Sequence, residues 1–294
     1  MVMKMAYPIS INLPYMLLEI ITAFIIGGLL LGLQRKVIAR IQGRPGPPII
    51  QHLLHTFKFY IKELSIPRTS SMPLYVAIVM ALDGLWVLAL IIGPILHGPL
   101  GIVILCYAIH KVSEHGIGLA SGSPYTKMGS CRAVLSATAE MPLMAVMALV
   151  YFKTHTLIIS DIINYQLIHG SLVLQLPLCA LAVFILLISK APYSPFGIVW
   201  GKDIVSGYKT EHFGVIRGVL MMGEILGYFV LLWCFLTLFF GGAISTPLDY
   251  IIGMTIITIL LGFICALTPM VAPYHSVMIQ WIFAVLALVN AVLV

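Results

Sequence analysis

The 294-residue chain carries 16 Lys and Arg against 10 Asp and Glu, a formal net charge of +6, yet only 9% of it is charged and 61% is hydrophobic. A soluble domain carries about 25% charged residues, so a water-soluble enzyme is excluded. The positive balance then reports membrane topology and attraction to anionic headgroups rather than nucleic-acid binding.

Apolar runs of about 20 residues, each long enough to cross the hydrocarbon core as a helix, recur at 14–33, 73–96, 99–118, 133–153, 171–190, 215–240, 248–268 and 273–294. The short alternating segments of a membrane β-barrel do not occur. The expected fold is all-α: a polytopic membrane protein of about eight transmembrane helices, forming a single transmembrane domain over 1–294. Lys4 precedes polar, proline-broken sequence rather than a signal-peptide pattern, so the first span is expected to act as its own insertion signal.

The connections at 34–72, 119–132, 191–214 and 269–272 hold or adjoin 14 of the Lys and Arg residues, and the opposite side has two, Lys4 and Lys153. The positive-inside rule makes the basic side cytoplasmic, with both termini outside, in a multi-pass protein of the cell membrane. The five cysteines form no C-x-x-C pair, the histidines are scattered, and no nucleophile–base pair or phosphate loop is present. No catalytic residue and no metal site is expected.

The first cytoplasmic segment concentrates Arg35, Lys36, Arg40, Arg44, Lys58 and Lys62. Its Gly43-Arg44-Pro45-Gly46-Pro47-Pro48 run breaks helix, because the glycines free φ while the prolines lock it and remove donors. Ile49, Ile50, Leu53, Leu54, Phe57, Ile61 and Leu64 then recur at helical spacing among polar residues. That pattern predicts an amphipathic helix in the interface plane, on the cytoplasmic side.

Ionisable groups inside the bilayer cost at least about 2.5–3.5 kcal/mol each on insertion scales. Asp83, Glu114, Glu140 and Glu224 are therefore candidates for ion coupling, with Glu19 near the outer end of its helix. His110 with Glu114, and Lys111 with His115, are i, i+4 neighbours, read either as local interface pairs or as a proton relay. Arg132 is expected to open the fourth span, with Glu140 on the same face about 12 Å further along, a distance suited to a water-linked polar track.

Residues 35–64, and the Gln42–Pro48 run Q-G-R-P-G-P-P above all, resemble the NADH dehydrogenase subunit 1 family of respiratory complex I. Within it they are similar to the branch found in energy-converting, membrane-bound nickel–iron hydrogenases. Gly129, Arg132 and Glu140 match the family's second cytoplasmic loop and the helix after it, while Gly207, Tyr208, Glu211 and Glu224 match the third loop and its helix. The family's acidic loop does not carry over: Gly197 stands for its aspartate and Val199, Trp200, Gly201 and Lys202 replace its Pro-Glu-Ala-Glu, leaving Asp203.

The resemblance implies a non-catalytic coupling subunit of an ion-translocating redox complex. Glu140, Glu224, Glu211, Asp203, Asp83 and Glu114 would serve coupling. Arg35, Lys36, Arg40, Arg44, Lys58, Lys62 and Arg132 would dock a peripheral arm of hydrogenase-like large and small subunits and an iron–sulfur subunit. Antiporter-like membrane subunits would be further partners. The chain itself would hold no cofactor; a nickel–iron centre and iron–sulfur clusters belong to the implied partners. The alternatives are a quinone-site subunit of a complex-I-type dehydrogenase, against which the altered loop argues, a subunit of a sulfur-reducing complex, and a free-standing transporter, which would show paired broken helices.

Overall fold

The computed structural model describes residues 12–140, 143–191 and 193–293. Among the described residues twelve α-helices follow one another, and no strand occurs. They are α1 (Leu13–Ile41), α2 (Gln51–Tyr60), α3 (Met72–Leu90), α4 (Leu100–Ser121), α5 (Pro124–Glu140), α6 (Leu143–Thr154), α7 (Ile159–His169), α8 (Leu172–Gln175), α9 (Pro177–Lys190), α10 (Val215–Phe240), α11 (Pro247–Leu267) and α12 (Pro273–Leu293). Seven segments are long and apolar enough to cross a membrane, and α9 adds a shorter apolar helix.

Helix starts follow local chemistry. Proline occupies the first turn of α1, α3, α9 and α11, where a missing N–H costs nothing. At α11 the Thr246 side chain accepts from the Asp249 N–H while Asp249 accepts from the Thr246 N–H, a reciprocal cap. A π-helical stretch, Ile91–Ile95, continues α3 around Pro94, whose ring cannot sit in a regular α-helical ladder.

Several sequence expectations shift. The first span does not end at 33: α1 continues to Ile41, placing Arg35, Lys36 and Arg40 on its last turns. The expected loop at 119–132 is helical from Pro124, so Arg132 lies in the third turn of α5 and does not open it. The expected fifth span, 171–190, breaks at Leu176, leaving the single turn α8 before the 14 residues of α9. The connection at 154–170 contains a helix, α7, with Ile159, Ile162 and Gln166 buried on one face.

α10 is the axis of the bundle. Two thirds (67%) of its apolar window is buried, against 28–39% for the other long spans. In lipid no hydrophobic force drives helices together, so association rests on close packing of small residues. α1 supplies them: a β-carbon on Gly27 would meet the Ile225 carbonyl of α10, and one on Gly32 would overlap the Ile49 carbonyl at the start of α2. The proline–glycine run therefore folds back on α1 and lays α2 across both α1 and α10, with Leu53 buried against Gly28 and an edge of the exposed Tyr60 ring close to Gly218.

The connections gather at two opposite edges. On the basic edge Ser71 donates from its N–H to the Ala120 carbonyl (3.1 Å) and Val271 to that of Pro195 (2.9 Å). On the other, Leu100 donates to Leu157 (2.8 Å), and the buried Gln166 side chain donates to the Thr237 and Leu238 carbonyls at the end of α10 (2.9 and 3.1 Å).

Candidate functional site: a charged seam beneath the basic edge

The connection from α9 to α10 turns inward and becomes the centre of a polar seam. Val205, Ser206 and Gly207 take left-handed φ values of 52°, 64° and 57°. A β-branched residue there is strained, and the curl it completes delivers the 3₁₀ turn Gly207–Thr210 between α4 and α10. Gly207 has no room for a side chain: a β-carbon would press on the Val199 carbonyl.

Two adjacent side chains on that turn join two membrane helices. The Tyr208 hydroxyl donates to Glu114 of α4 at 2.9 Å. Lys209 Nζ lies 2.8 Å from Glu224 of α10 and 3.4 Å above the Trp200 ring centre. Each glutamate has a further partner that is a cation: Lys111 meets Glu114 at 2.6 Å in a buried pair, and Arg217 stands 3.6 Å from Glu224, seven residues away on the same helix. Burial lowers the Lys209 ammonium from its ordinary value, a pull that Glu224 opposes. Burial, then the Glu114 charge, raises the Tyr208 hydroxyl well above its usual range, so it stays a proton donor.

Further polar groups border the seam. Asp83 of α3 is buried against Gly223, next to Glu224, and its Oδ1 has no hydrogen-bond partner among the described residues. The His52 imidazole of α2 is buried with neither ring nitrogen bonded there; burial brings it to about 4, so it is neutral near pH 7 although Glu224 pulls the other way. His212 stacks on Tyr75 at 4.6 Å and donates from Nδ1 to the Tyr208 carbonyl at 2.6 Å. Burial likewise lowers it to about 4.

The predicted residues separate into three groups. Glu114, Glu224 and Asp83 come together around the turn. Glu211 sits at its end, where its carbonyl accepts from the Tyr75 hydroxyl at 3.3 Å. Asp203 instead faces outward in a two-toothed pair with Arg132, at 3.0 and 2.5 Å. That pair engages Arg132 within the chain, and the Arg132 guanidinium holds the Asp203 carboxyl below its usual value. The Glu140 side chain lies outside the described residues, so the expected track from Arg132 to Glu140 has no described geometry at that end.

Of the residues in the expected i, i+4 pairs, Lys111 pairs with Glu114 at i, i+3, the His110 charge also bears on Glu114, and His115 donates to the Ser130 carbonyl at 3.0 Å. Sequence reasoning missed Lys209 as a site residue, and matched Tyr208 to the family's third loop without giving it a role. The signal for half of the seam was present: Arg217 and Glu224 are seven residues apart, two helical turns on one face.

Arg40 and Arg44 are exposed at the basic edge, where Arg44 bonds the Gln42 side chain. Arg35 and Lys36 are half-buried, with Arg35 5.9 Å from the Tyr193 ring centre. Lys58 is exposed on α2, and Lys62 lies 4.7 Å from the ring centre of Phe213. Among the described residues no three His, Cys, Asp or Glu side chains gather as metal ligands.

Fold and seam together define a polytopic membrane protein whose intramembrane charges are tied to one connecting loop at its basic edge. The chain belongs to the NADH dehydrogenase family, whose profile matches residues 14–294, in line with the resemblance to NADH dehydrogenase subunit 1 carried by the motifs of its basic connections. A Methanocaldococcus jannaschii protein with the provisional description NADH-ubiquinone oxidoreductase is 54% identical over 269 residues, 91% of each chain. Subunit 8 of the Thermus thermophilus NADH-quinone oxidoreductase is 27% identical over 270 residues, 82% of this chain and 73% of that one. Among solved structures, a chain of the membrane-bound sulfane sulfur reductase, an archaeal respiratory membrane complex, matches with a TM-score of 0.84 at 25% identity, covering 96% of this chain and 98% of that one.

Proposed function

We propose that this chain is the membrane coupling subunit of an ion-translocating redox complex of the membrane-bound hydrogenase type, with its basic edge in the cytoplasm. A peripheral arm carrying a nickel–iron centre and iron–sulfur clusters docks on that edge, and antiporter-like subunits lie beside it in the membrane. The observation that carries the reading is the Gly207–Thr210 turn, which ties Glu114 and Glu224 to a loop exposed where an arm would sit. A redox event that displaces the loop moves Tyr208 and Lys209, and with them the charge balance of both glutamates. The Asp83 Oδ1 and the His52 ring nitrogens extend the path: without hydrogen-bond partners among the described residues, such buried atoms are satisfied by water or an incoming group.

Glu224→Gln removes the carboxylate that Lys209 and Arg217 share. We expect ion pumping to be abolished while dye-linked electron transfer in the assembled complex continues; pumping at the unmodified rate would refute the assignment. Docking has its own test. Arg44→Glu inverts an exposed cation and is expected to release the soluble subunits on gentle detergent extraction, whereas an intact complex would place the contact elsewhere.

One observation favours a second reading, a sulfur-reducing complex: the match to the sulfane sulfur reductase chain extends over nearly the whole of both chains. The membrane seam would work alike in both. Co-purifying soluble subunits assayed with protons or with sulfane sulfur as acceptor separate the two.

A further inference from the structure

α2 does more than cover α1. Ile50, Leu54, Phe57 and Ile61 are 49, 52, 54 and 88% exposed, and the residues flanking the helix keep helical geometry. At 100° per residue these four fall within a stripe of about 60°. The opposite face, with His52, Leu53 and Thr56, is the buried one. The stripe does not stand alone: Phe57 meets Phe24 of α1 edge to face at 6.0 Å, and α1 presents Leu17, Leu18, Ile21 and Ile25 outward just beyond it. The stripe therefore adjoins α1, a span that exposes apolar side chains of its own.

Cations flank this stripe. Lys58 is exposed one turn from Leu54, and Lys62 follows at i+4, its ammonium 5.3 Å from the Phe59 ring centre and 4.7 Å from that of Phe213. The aromatic rings hold the Lys62 head beside the helix end, and i, i+4 spacing places both ammonium groups on one side. The acid of this segment, Glu63, is exposed at its end.

We propose that α2 seats its apolar stripe among acyl chains at the bilayer surface and takes an anionic phospholipid headgroup between Lys58 and Lys62. Apolar residues below and ammonium groups at headgroup level are what a helix lying in the interface requires. A headgroup of net negative charge complements the two lysines, whereas the phosphodiester of a zwitterionic headgroup is already offset by its own cation. Lys58 and Lys62 thereby belong to the lipid contact, and arm docking falls to Arg40 and Arg44.

A photo-crosslinking residue, p-benzoylphenylalanine, placed at Ile61 in the whole complex tests this. The complex is reconstituted in vesicles of equal phosphatidylglycerol and phosphatidylcholine, irradiated, and the adducts on the α2 peptide are weighed by mass spectrometry. We expect phospholipid adducts, with phosphatidylglycerol favoured about fivefold or more, a factor corresponding to at least one lysine near a membrane surface. Lys58→Glu with Lys62→Glu should bring that ratio to about one while lipid adducts persist. Adducts to another subunit would assign the stripe to a protein partner and overturn the proposal. So would equal labelling by the two lipids in the unmodified complex, or a preference unmoved by the two charge reversals.

Discussion

Lys209→Met is expected to uncouple the complex while leaving it assembled. Lys209 is the link at which the loop of the basic edge touches Glu224, at 2.8 Å, and its loss leaves that carboxylate with Arg217 at 3.6 Å. Removing one partner of a largely buried pair costs about 3–5 kcal/mol when nothing compensates. Here the remaining arginine and the partial exposure of both groups, 17% and 24%, bring the cost to about 2 kcal/mol. Where Lys209 supplies an interaction of that size to the moving charge, its loss slows the step about thirtyfold. Ion uptake in vesicles driven by the complex should fall by this order, with dye-linked electron transfer retained. Lys209→Arg keeps a cation over Trp200 and should recover much of the uptake. If Lys209→Met pumps normally, the turn is a structural tie and nothing more.

The spans were legible because long apolar runs have one stable answer in a bilayer, where every backbone group must be satisfied within its own segment. The departures from that reading have local causes. α1 runs through Arg35, Lys36 and Arg40 because nothing before Gly43 breaks helix, and long basic side chains tolerate an interfacial turn by snorkelling. α5 starts at Pro124, a favourable first helical position that the surrounding Gly/Ser-rich stretch disguises as a turn. α7 was hidden because 11 residues with Asp161, Asn164 and Gln166 look like a polar connection until Gln166 is seen capping α10.

The seam was half legible. Asp83, Glu114 and Glu224 declared themselves as charges in apolar surroundings, a signal that survives without a structure. Their partners on the turn did not, because those contacts bridge separate elements: Tyr208 lies 94 positions from Glu114. A resemblance in the Gly207, Tyr208, Glu211 motif marked the right loop but the wrong atom, since Glu211 contributes its carbonyl there and Lys209, outside the motif, carries the charge. The same contacts explain how a loop without the family's acidic cluster still reaches the intramembrane glutamates: it does so through a tyrosine hydroxyl and a lysine.

The buried pair on α4 sets a sharper energetic test. Lys111 and Glu114 are 7% and 1% exposed and 2.6 Å apart, and Tyr208 supplies a second bond to the carboxylate. Two charges taken out of water gain back in mutual attraction little more than their desolvation costs, so a buried pair contributes modestly as a pair yet is costly to halve. Lys111→Met should therefore destabilise the protein by about 3 kcal/mol, near the low end of the usual range, because the Lys190 charge also bears on Glu114. Adding Glu114→Gln removes the stranded carboxylate and keeps an acceptor for Tyr208. The double variant should regain most of the loss and lie within about 1–2 kcal/mol of the unmodified protein. Unfolding in mixed micelles of increasing dodecyl sulfate content measures both. Additive losses would mean that the two side chains are not coupled, and would remove the α4 end of the seam. Recovery of stability in the double variant without recovery of pumping would separate the two roles of Glu114: a charge the fold has to neutralise, and one the coupling mechanism needs.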